Sequence, residues 1–294
     1  MKQYAHAKVN LYLEITGRTA SGYHTLESLM CPIGIHDTLH YDFGAPSLSV
    51  TCSDPRIPQG EGNLAWEAAQ RFFGAVGFRE TVHIHIRKRI PAGAGLGGGS
   101  SDAACVLNGL NRHYGSRLDR DALLRLGSAI GADVPFFIEG RPAIASGIGD
   151  RLRPFTGLPP LPLLVVYPGR PLSTAAVYKK LNYGLTKKEK LNKHSTFREH
   201  GFRPERDLFN DLEVPAIAME PEIAVVKAAL RKHGAQGVLM SGSGSSVFGV
   251  FDSAATAARA KRSLSYRAGW QVMITELLVA DNRGPRRWKR PGAQ

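Results

Sequence analysis

The residues whose types and spacing point most directly to chemistry are Pro91-Ala92-Gly93-Ala94-Gly95-Leu96-Gly97-Gly98-Gly99-Ser100-Ser101. Five glycines in seven residues forfeit conformational entropy on folding, so they make sense where backbone passes very close to something. A strand is predicted just before them, with Val82, Ile84 and Ile86 on one face and His83, His85 and Arg87 on the other. A helix is predicted just after them, over residues 100–110, with Ala103, Leu107 and Leu110 on one stripe. Such a junction delivers backbone N–H groups and a helix N-terminus to one place, which is an anion site, and Ser100 and Ser101 add hydroxyls.

Several phosphate and acyl chemistries are excluded or disfavoured, a dehydrogenase being the weakest of the readings that stay open. Gly93, Gly95 and Gly98 satisfy G-x-G-x-x-G, yet the preceding strand alternates apolar with polar, whereas a dinucleotide fold uses a strand buried on both faces. The acid at the distance that fingerprint expects, Asp119, opens a predicted helix rather than ending a strand. No Gly-Lys-Ser/Thr occurs, which removes the Walker A loop, and no G-x-S-x-G elbow occurs. His83 and His85 share a polar strand face but lack a third metal ligand nearby. Cys31, Cys52 and Cys105 are widely spaced, so neither a disulfide scaffold nor a cysteine zinc site is expected.

These groups need elements to hold them. Val9, Leu11, Leu13 and Ile15 alternate with Lys8, Asn10, Tyr12 and Glu14, which predicts a half-buried strand with Lys8 and Asn10 on its non-core face. Helices are predicted over residues 63–76, 120–130 (capped by Asp119, stopped by Gly131) and 221–233. Residues 238–240 and 247–251 read as paired strands around Ser241-Gly242-Ser243-Gly244-Ser245, and residues 161–167 as another strand. The mixture lacks a repeated βαβ rhythm and reads as α+β, in two domains, 1–155 and 156–294.

The chain has 294 residues, 43% hydrophobic and 21% charged, which suits a packed core and not a disordered chain. No apolar run reaches the roughly 18 residues needed to span a bilayer, and no signal-peptide pattern opens the chain, so a cytoplasmic location is expected. The net charge of +13 favours anionic partners, whether nucleic acid, an acidic membrane or a polyphosphate small molecule. Arg283, Arg286, Arg287, Lys289 and Arg290 make a basic tail, and residues 187–206 read as a basic, core-poor surface loop. Neither has the interleaved aromatics of a single-strand binder.

The glycine loop, the strand bearing Lys8, and Leu239-Met240-Ser241-Gly242-Ser243-Gly244-Ser245 resemble the three motifs of the GHMP small-molecule kinases. Within that group, Ala7-Lys8-Val9-Asn10-Leu11, Gly22-Tyr23-His24, Gly131-Ala132-Asp133-Val134-Pro135 and Ser241-Gly242-Ser243-Gly244 resemble the diphosphocytidyl-methylerythritol kinases. The resemblance implies a two-domain α+β GHMP-kinase fold with the active-site cleft between the domains. It also implies ATP-dependent phosphorylation of a 2-hydroxyl on a cytidine diphosphate conjugate, with Mg²⁺, in the non-mevalonate isoprenoid precursor pathway.

Residue by residue, the resemblance makes Asp133 the base that accepts the hydroxyl proton and Lys8 its partner. It assigns residues Pro91 to Ser101 to the ATP phosphates, with Asn63 and Lys88 near the nucleoside; read alone, Asn63 is a helix N-cap and Lys88 a strand-end charge. Tyr23 and Tyr178 match an aromatic pair around the cytosine, His24 the reader of its edge, and Asn10 and Thr174 positions near the rest of the substrate. No Mg²⁺ ligand beyond Ser101 suggests itself. The chain departs from the pattern at Met30, where many members carry a third aromatic, and at Asp102, where Asn is common. The competing expectations are a GHMP kinase for another alcohol such as homoserine or mevalonate, which the Tyr23-His24 pair disfavours, and a basic nucleic-acid-binding protein.

Overall fold

The computed structural model describes residues 1–20, 22–77, 81–181 and 201–279. Two sheets organise the chain. The first has the order β3 (Ser49–Cys52), β4 (Val82–Arg87), β2 (His24–Phe43), β1 (Lys2–Arg18), β8 (Phe209–Asn210). β5 (Ala143–Ser146) pairs with β2, and β6 (Arg151–Pro154) with β5. The second sheet has the order β11 (Gln271–Glu276), β7 (Pro162–Tyr167), β10 (Val247–Val250), β9 (Gly237–Met240). Strands β1 to β6 thus precede residue 155 and the second sheet follows it, while β8 crosses back to pair with β1 at Tyr12 and Leu13.

Helices α1 (Leu64–Val76), α2 (Gly98–His113), α3 (Arg120–Ile130) and α4 (Val134–Glu139) belong to the first half. After β7 come α5 (Thr174–Lys180), α6 (Pro204–Asp207), α7 (Glu213–Met219), α8 (Glu222–Lys232) and α9 (Ala254–Leu264). The predicted caps form: Asn63 accepts from Ala65 N–H and Asp119 from Ala122 N–H. Helix α2 is longer than expected at both ends: its first turn recruits Gly98 and Gly99 directly from the loop, and it runs on to His113.

Three buried clusters hold the layers together. Phe72 of α1 and Leu107 of α2 pack under Leu39 and Ile84 of the first sheet. Val226, Leu230 and Leu264 cover the second sheet against Val166 and Val247. Between the sheets, Val9, Leu11 and Ile33 meet Leu163, Val165 and Phe248.

This middle cluster corrects the reading of β1 as half-buried. Residues 7 to 13 are all buried, because the face carrying Lys8 and Asn10 is roofed by two glycine loops instead of solvent. Phe202 and Pro204 correct the reading of the basic segment as core-poor, since both are buried; residues 187–200 lie outside the described residues, as does the basic tail. His83 and His85 bond to Ser49 and Thr51 across the sheet, and no cluster of three metal-ligating side chains occurs among the described residues. No helix among them is long and apolar enough to cross a membrane.

Candidate active site

The two glycine loops lie back to back. A Cβ on Gly95 would sit 2.1 Å from the Ser241 carbonyl oxygen, and Gly95 itself has φ +74°, so only glycine fits. Donors from the second half of the chain take the loop's carbonyls. Leu172 N–H donates to Gly93, Ser246 N–H to Ala94 and the Ser241 hydroxyl to Gly95, while Lys8 N–H of β1 donates to Leu96.

In a planar trans peptide the N–H points opposite to the C=O. Tethering these carbonyls therefore turns the following amides away from the protein donors. Among the described residues, the amides of 92 to 97 and the first three of α2 donate to no protein acceptor. The sequence thus builds a row of unpaired donors ending at a helix N-terminus, the arrangement that binds phosphate.

These amides line a cleft of about 970 Å³. Lys8, Asn10, Tyr23, His24, Asn63, Lys88, Asp133, Thr174 and Tyr178 all border it, together with residues 91 to 100. Ser101 does not. Its hydroxyl donates to the His6 carbonyl at 2.6 Å and is buried, away from the cleft lining.

The Lys8 ammonium is buried and donates to Asn10 Oδ1 at 2.6 Å, and Asn10 Nδ2 in turn donates to the Ser28 hydroxyl. Lys8 Nζ lies 3.7 Å from Asp133 Oδ2, whose side chain is 38% exposed. Asp133 opens α4 but makes no side-chain cap, so its carboxylate is free for the cleft. Thr174 and Ser243 hydroxyls bond at 2.8 Å, tying α5 to the second glycine loop. At the far end, the His24 and Tyr178 rings lie 5.2 Å apart, while Tyr23 stands 67% exposed. Burial, with the Asp133 charge, pushes the Tyr178 hydroxyl up to about 12. Burial, then the Arg18 guanidinium, lowers His24 below the usual imidazole range.

Lys88 is less a surface charge than the pin of the strand-loop junction. Its ammonium donates to Asp37 Oδ2 and Asp102 Oδ2, each at 2.6 Å, under the first residue of α2. Asp37 Oδ1 also accepts from Arg89 and Ile90 N–H, fixing the chain as it enters the loop. Sequence reasoning missed Asp37 and Ser28. For Asp37 there was a signal: it falls in the same inward phase of β2 as Leu39 and Tyr41, where an acid needs a partner. Asn63 caps α1 as expected, and it also borders the cleft. Met30 borders it too, buried against Phe136 and Ala143.

Residues 63–141 match the GHMP kinases N terminal domain and residues 189–268 the GHMP kinases C terminal domain. A protein of Syntrophotalea carbinolica named 4-diphosphocytidyl-2-C-methyl-D-erythritol kinase is 43% identical over 273 residues, covering 92% of this chain and 97% of that one. One of the same name from Pelobacter propionicus is 41% identical, covering 93% and 98%. A crystal structure of 4-(cytidine 5'-diphospho)-2C-methyl-D-erythritol kinase superposes with a TM-score of 0.80 at 38% identity, over 94% of this chain and 99% of that one. The Methanococcus jannaschii mevalonate kinase, at TM-score 0.69 and 14% identity over 95% and 98%, shares the fold. With both domains matched and relatives this similar spanning nearly the whole chain, the protein belongs to the GHMP kinases and, within them, to the 4-diphosphocytidyl-2-C-methyl-D-erythritol kinase family.

Proposed function

We propose that the chain transfers the γ-phosphoryl group of ATP to the 2-hydroxyl of 4-diphosphocytidyl-2-C-methyl-D-erythritol, giving the 2-phosphate and ADP. The observation that carries the reading is one cleft holding the row of free amides, the Lys8–Asp133 pair and the Tyr23-His24-Tyr178 aromatic group. Those three parts match a polyphosphate, a hydroxyl to be deprotonated and a base to be stacked.

The bond that forms joins the acceptor oxygen to the γ-phosphorus, and the bond that breaks joins that phosphorus to the β–γ bridging oxygen. Asp133 takes the hydroxyl proton. Lys8, held by Asn10 and Ser28, keeps the carboxylate and hydroxyl aligned, and in phosphoryl transfer such positioning and charge stabilisation supply most of the catalysis. The loop amides and the α2 N-terminus bind the charge that spreads over the transferring group. Tyr23 and Tyr178 stack the cytosine, His24 reads its edge, and Thr174 and Asn10 face the remainder of the substrate. Asn63 and Lys88 border the nucleoside side of the loop, where Asn63 is spent on its cap and Lys88 on its two acids.

Mg²⁺ would enter with the nucleotide, and no cluster of three His, Cys, Asp or Glu side chains occurs among the described residues to hold it apart from one. Bound there, it would neutralise phosphate charge.

The test is ADP release with ATP and Mg²⁺ across a panel of acceptors: the cytidine compound, its uridine analogue, homoserine, mevalonate and galactose. Turnover with the cytidine compound, lost in Asp133→Ala, is expected. Turnover confined to another acceptor would remove the base-stacking roles. No turnover with any acceptor would turn attention to RNA and the basic tail.

A further inference from the structure

Two carboxylates, Asp37 and Asp102, share one ammonium, Lys88, in a site where all three side chains are at least nine-tenths buried. With every group ionised, the cluster carries a net negative charge away from water, beside the amides that face phosphate. Burying such a charge is costly, and taking up one proton removes it. The hydrogen bonds identify which acid takes it. Asp37 accepts from Lys88, Arg89 and Ile90, so both of its oxygens are satisfied as acceptors. Asp102 accepts only from Lys88, and its Oδ1 is buried with no partner.

The other titratable groups around Asp102 do not change charge near neutral pH. Tyr41 on β2, Cys52 on β3 and Cys105 on α2 are all raised, chiefly by burial. Burial likewise pushes Asp102 up to about 7, with the pull of Lys88 opposed by Asp37.

We propose that Asp102 carries an exchangeable proton, and that a nucleoside triphosphate binding at the glycine loop draws that proton on. This makes Asp102 a positioning residue whose charge state sets nucleotide affinity. The proposal rests on the reading of the loop as a nucleotide phosphate site. Phosphate arriving at the amides of residues 92 to 100 brings negative charge to the first turn of the helix that carries Asp102. By linkage, an anion that favours the protonated form must bind more weakly as that proton is lost. With both acids ionised, their pull on Lys88 outweighs the burial that opposes its charge, so the ammonium holds the cluster together.

The test is calorimetric titration of the whole protein with the ATP analogue AMP-PNP and Mg²⁺, in buffers of differing ionisation enthalpy, between pH 6.5 and 8.5. The expected result is extra proton uptake by the wild type relative to Asp102→Asn. The wild-type affinity should also fall with rising pH more steeply than the variant's, by up to about tenfold per pH unit for one proton. The analogue's own phosphate protonation is common to both proteins and cancels. Equal proton uptake in the two proteins would overturn the proposal.

Should Asp102→Asn not fold, the wild type labelled with ¹³C at aspartate Cγ gives the answer alone. One carboxyl should titrate near neutral pH and shift upward with AMP-PNP; none titrating above pH 6 would overturn the proposal. Failure of the wild type to bind AMP-PNP would remove both this inference and the nucleotide site. Proton-linked binding without turnover of the cytidine acceptor would remove only the proposed substrate.

Discussion

Lys8 Nζ stands 3.7 Å from Asp133 Oδ2 but 2.6 Å from Asn10 Oδ1, so its buried ammonium is gripped by a neutral amide, not by the acid beside it. That geometry leaves Asp133 loosely paired and part exposed, as an acid must be to meet an incoming hydroxyl. Replacing it by Asn keeps the shape but removes the proton acceptor. Asp133→Asn should lower kcat for the acceptor by about 10² to 10⁴ while AMP-PNP affinity, set by the loop amides, stays within a few-fold. Steady-state kinetics and a binding isotherm check the two halves, and a kcat loss below tenfold would sink the base role.

The glycines of the loop separate into those that meet protein and those that do not. Gly95 combines φ +74° with a backbone carbonyl 2.1 Å from where a Cβ would be, so Gly95→Ala forces the two loops apart and should cost about 3 kcal/mol or more. Gly99 sits in the first turn of α2, where a Cβ would find only Leu64 Cδ1 at an ordinary 3.5 Å. Gly99→Ala should therefore stabilise the protein by about 0.5–1 kcal/mol. Urea unfolding of both variants gives the comparison. Similar stabilities would mean that the loops do not brace each other.

Tyr23 is 67% exposed, so truncating it removes little packing, and stability should move by no more than about 0.5 kcal/mol. If it stacks on the cytosine, Tyr23→Ala should raise KM for the cytidine acceptor by roughly 5- to 150-fold, the range expected from about 1–3 kcal/mol of base stacking. KM for ATP should not follow. A KM for the acceptor that stays put would take Tyr23 out of the substrate site.

How much of this was legible in the sequence differs from residue to residue. The loop was legible because glycine density and an immediate helix start are local properties, and α2 does begin at Gly98. The burial of Lys8 and Asn10 was not, because what covers them, Gly97 and Gly242, lies 89 and 234 residues beyond Lys8 and meets it only through the fold. Ser101 lies away from the cleft lining for a similar reason. Its place in the first turn suits a ligand, but the close approach of α2 to β1 gives its hydroxyl to His6. Asp102 was recognisable as a departure beside phosphate, and its meaning depended on Asp37, which an alternating strand hides in its inward phase.

The Asp37–Lys88–Asp102 cluster also fixes a pH dependence of stability with a definite sign. Burial, with Asp37 opposing the pull of Lys88, holds the Asp102 carboxyl in the folded chain well above the 3.8 of a free aspartate side chain such as the unfolded chain presents, to about 7. Between those two values the native state holds a proton that the unfolded state has released. Stability therefore contains a contribution that is complete below about pH 4 and is lost as the pH rises through 7. The slope from one proton is at most about 1.4 kcal/mol per pH unit. Paired carboxylates elsewhere, such as Asp54 beside Arg56, push the opposite way at lower pH, so the total curve conceals the Asp102 part. The difference between wild type and Asp102→Asn isolates it. From pH 4.5 to 7.5, the wild type should lose stability relative to the variant, and above pH 8 the two curves should run parallel. Urea unfolding at half-unit pH steps measures that difference. A gap that stays constant over the range would mean that Asp102 is ionised throughout and that the cluster keeps its net charge buried.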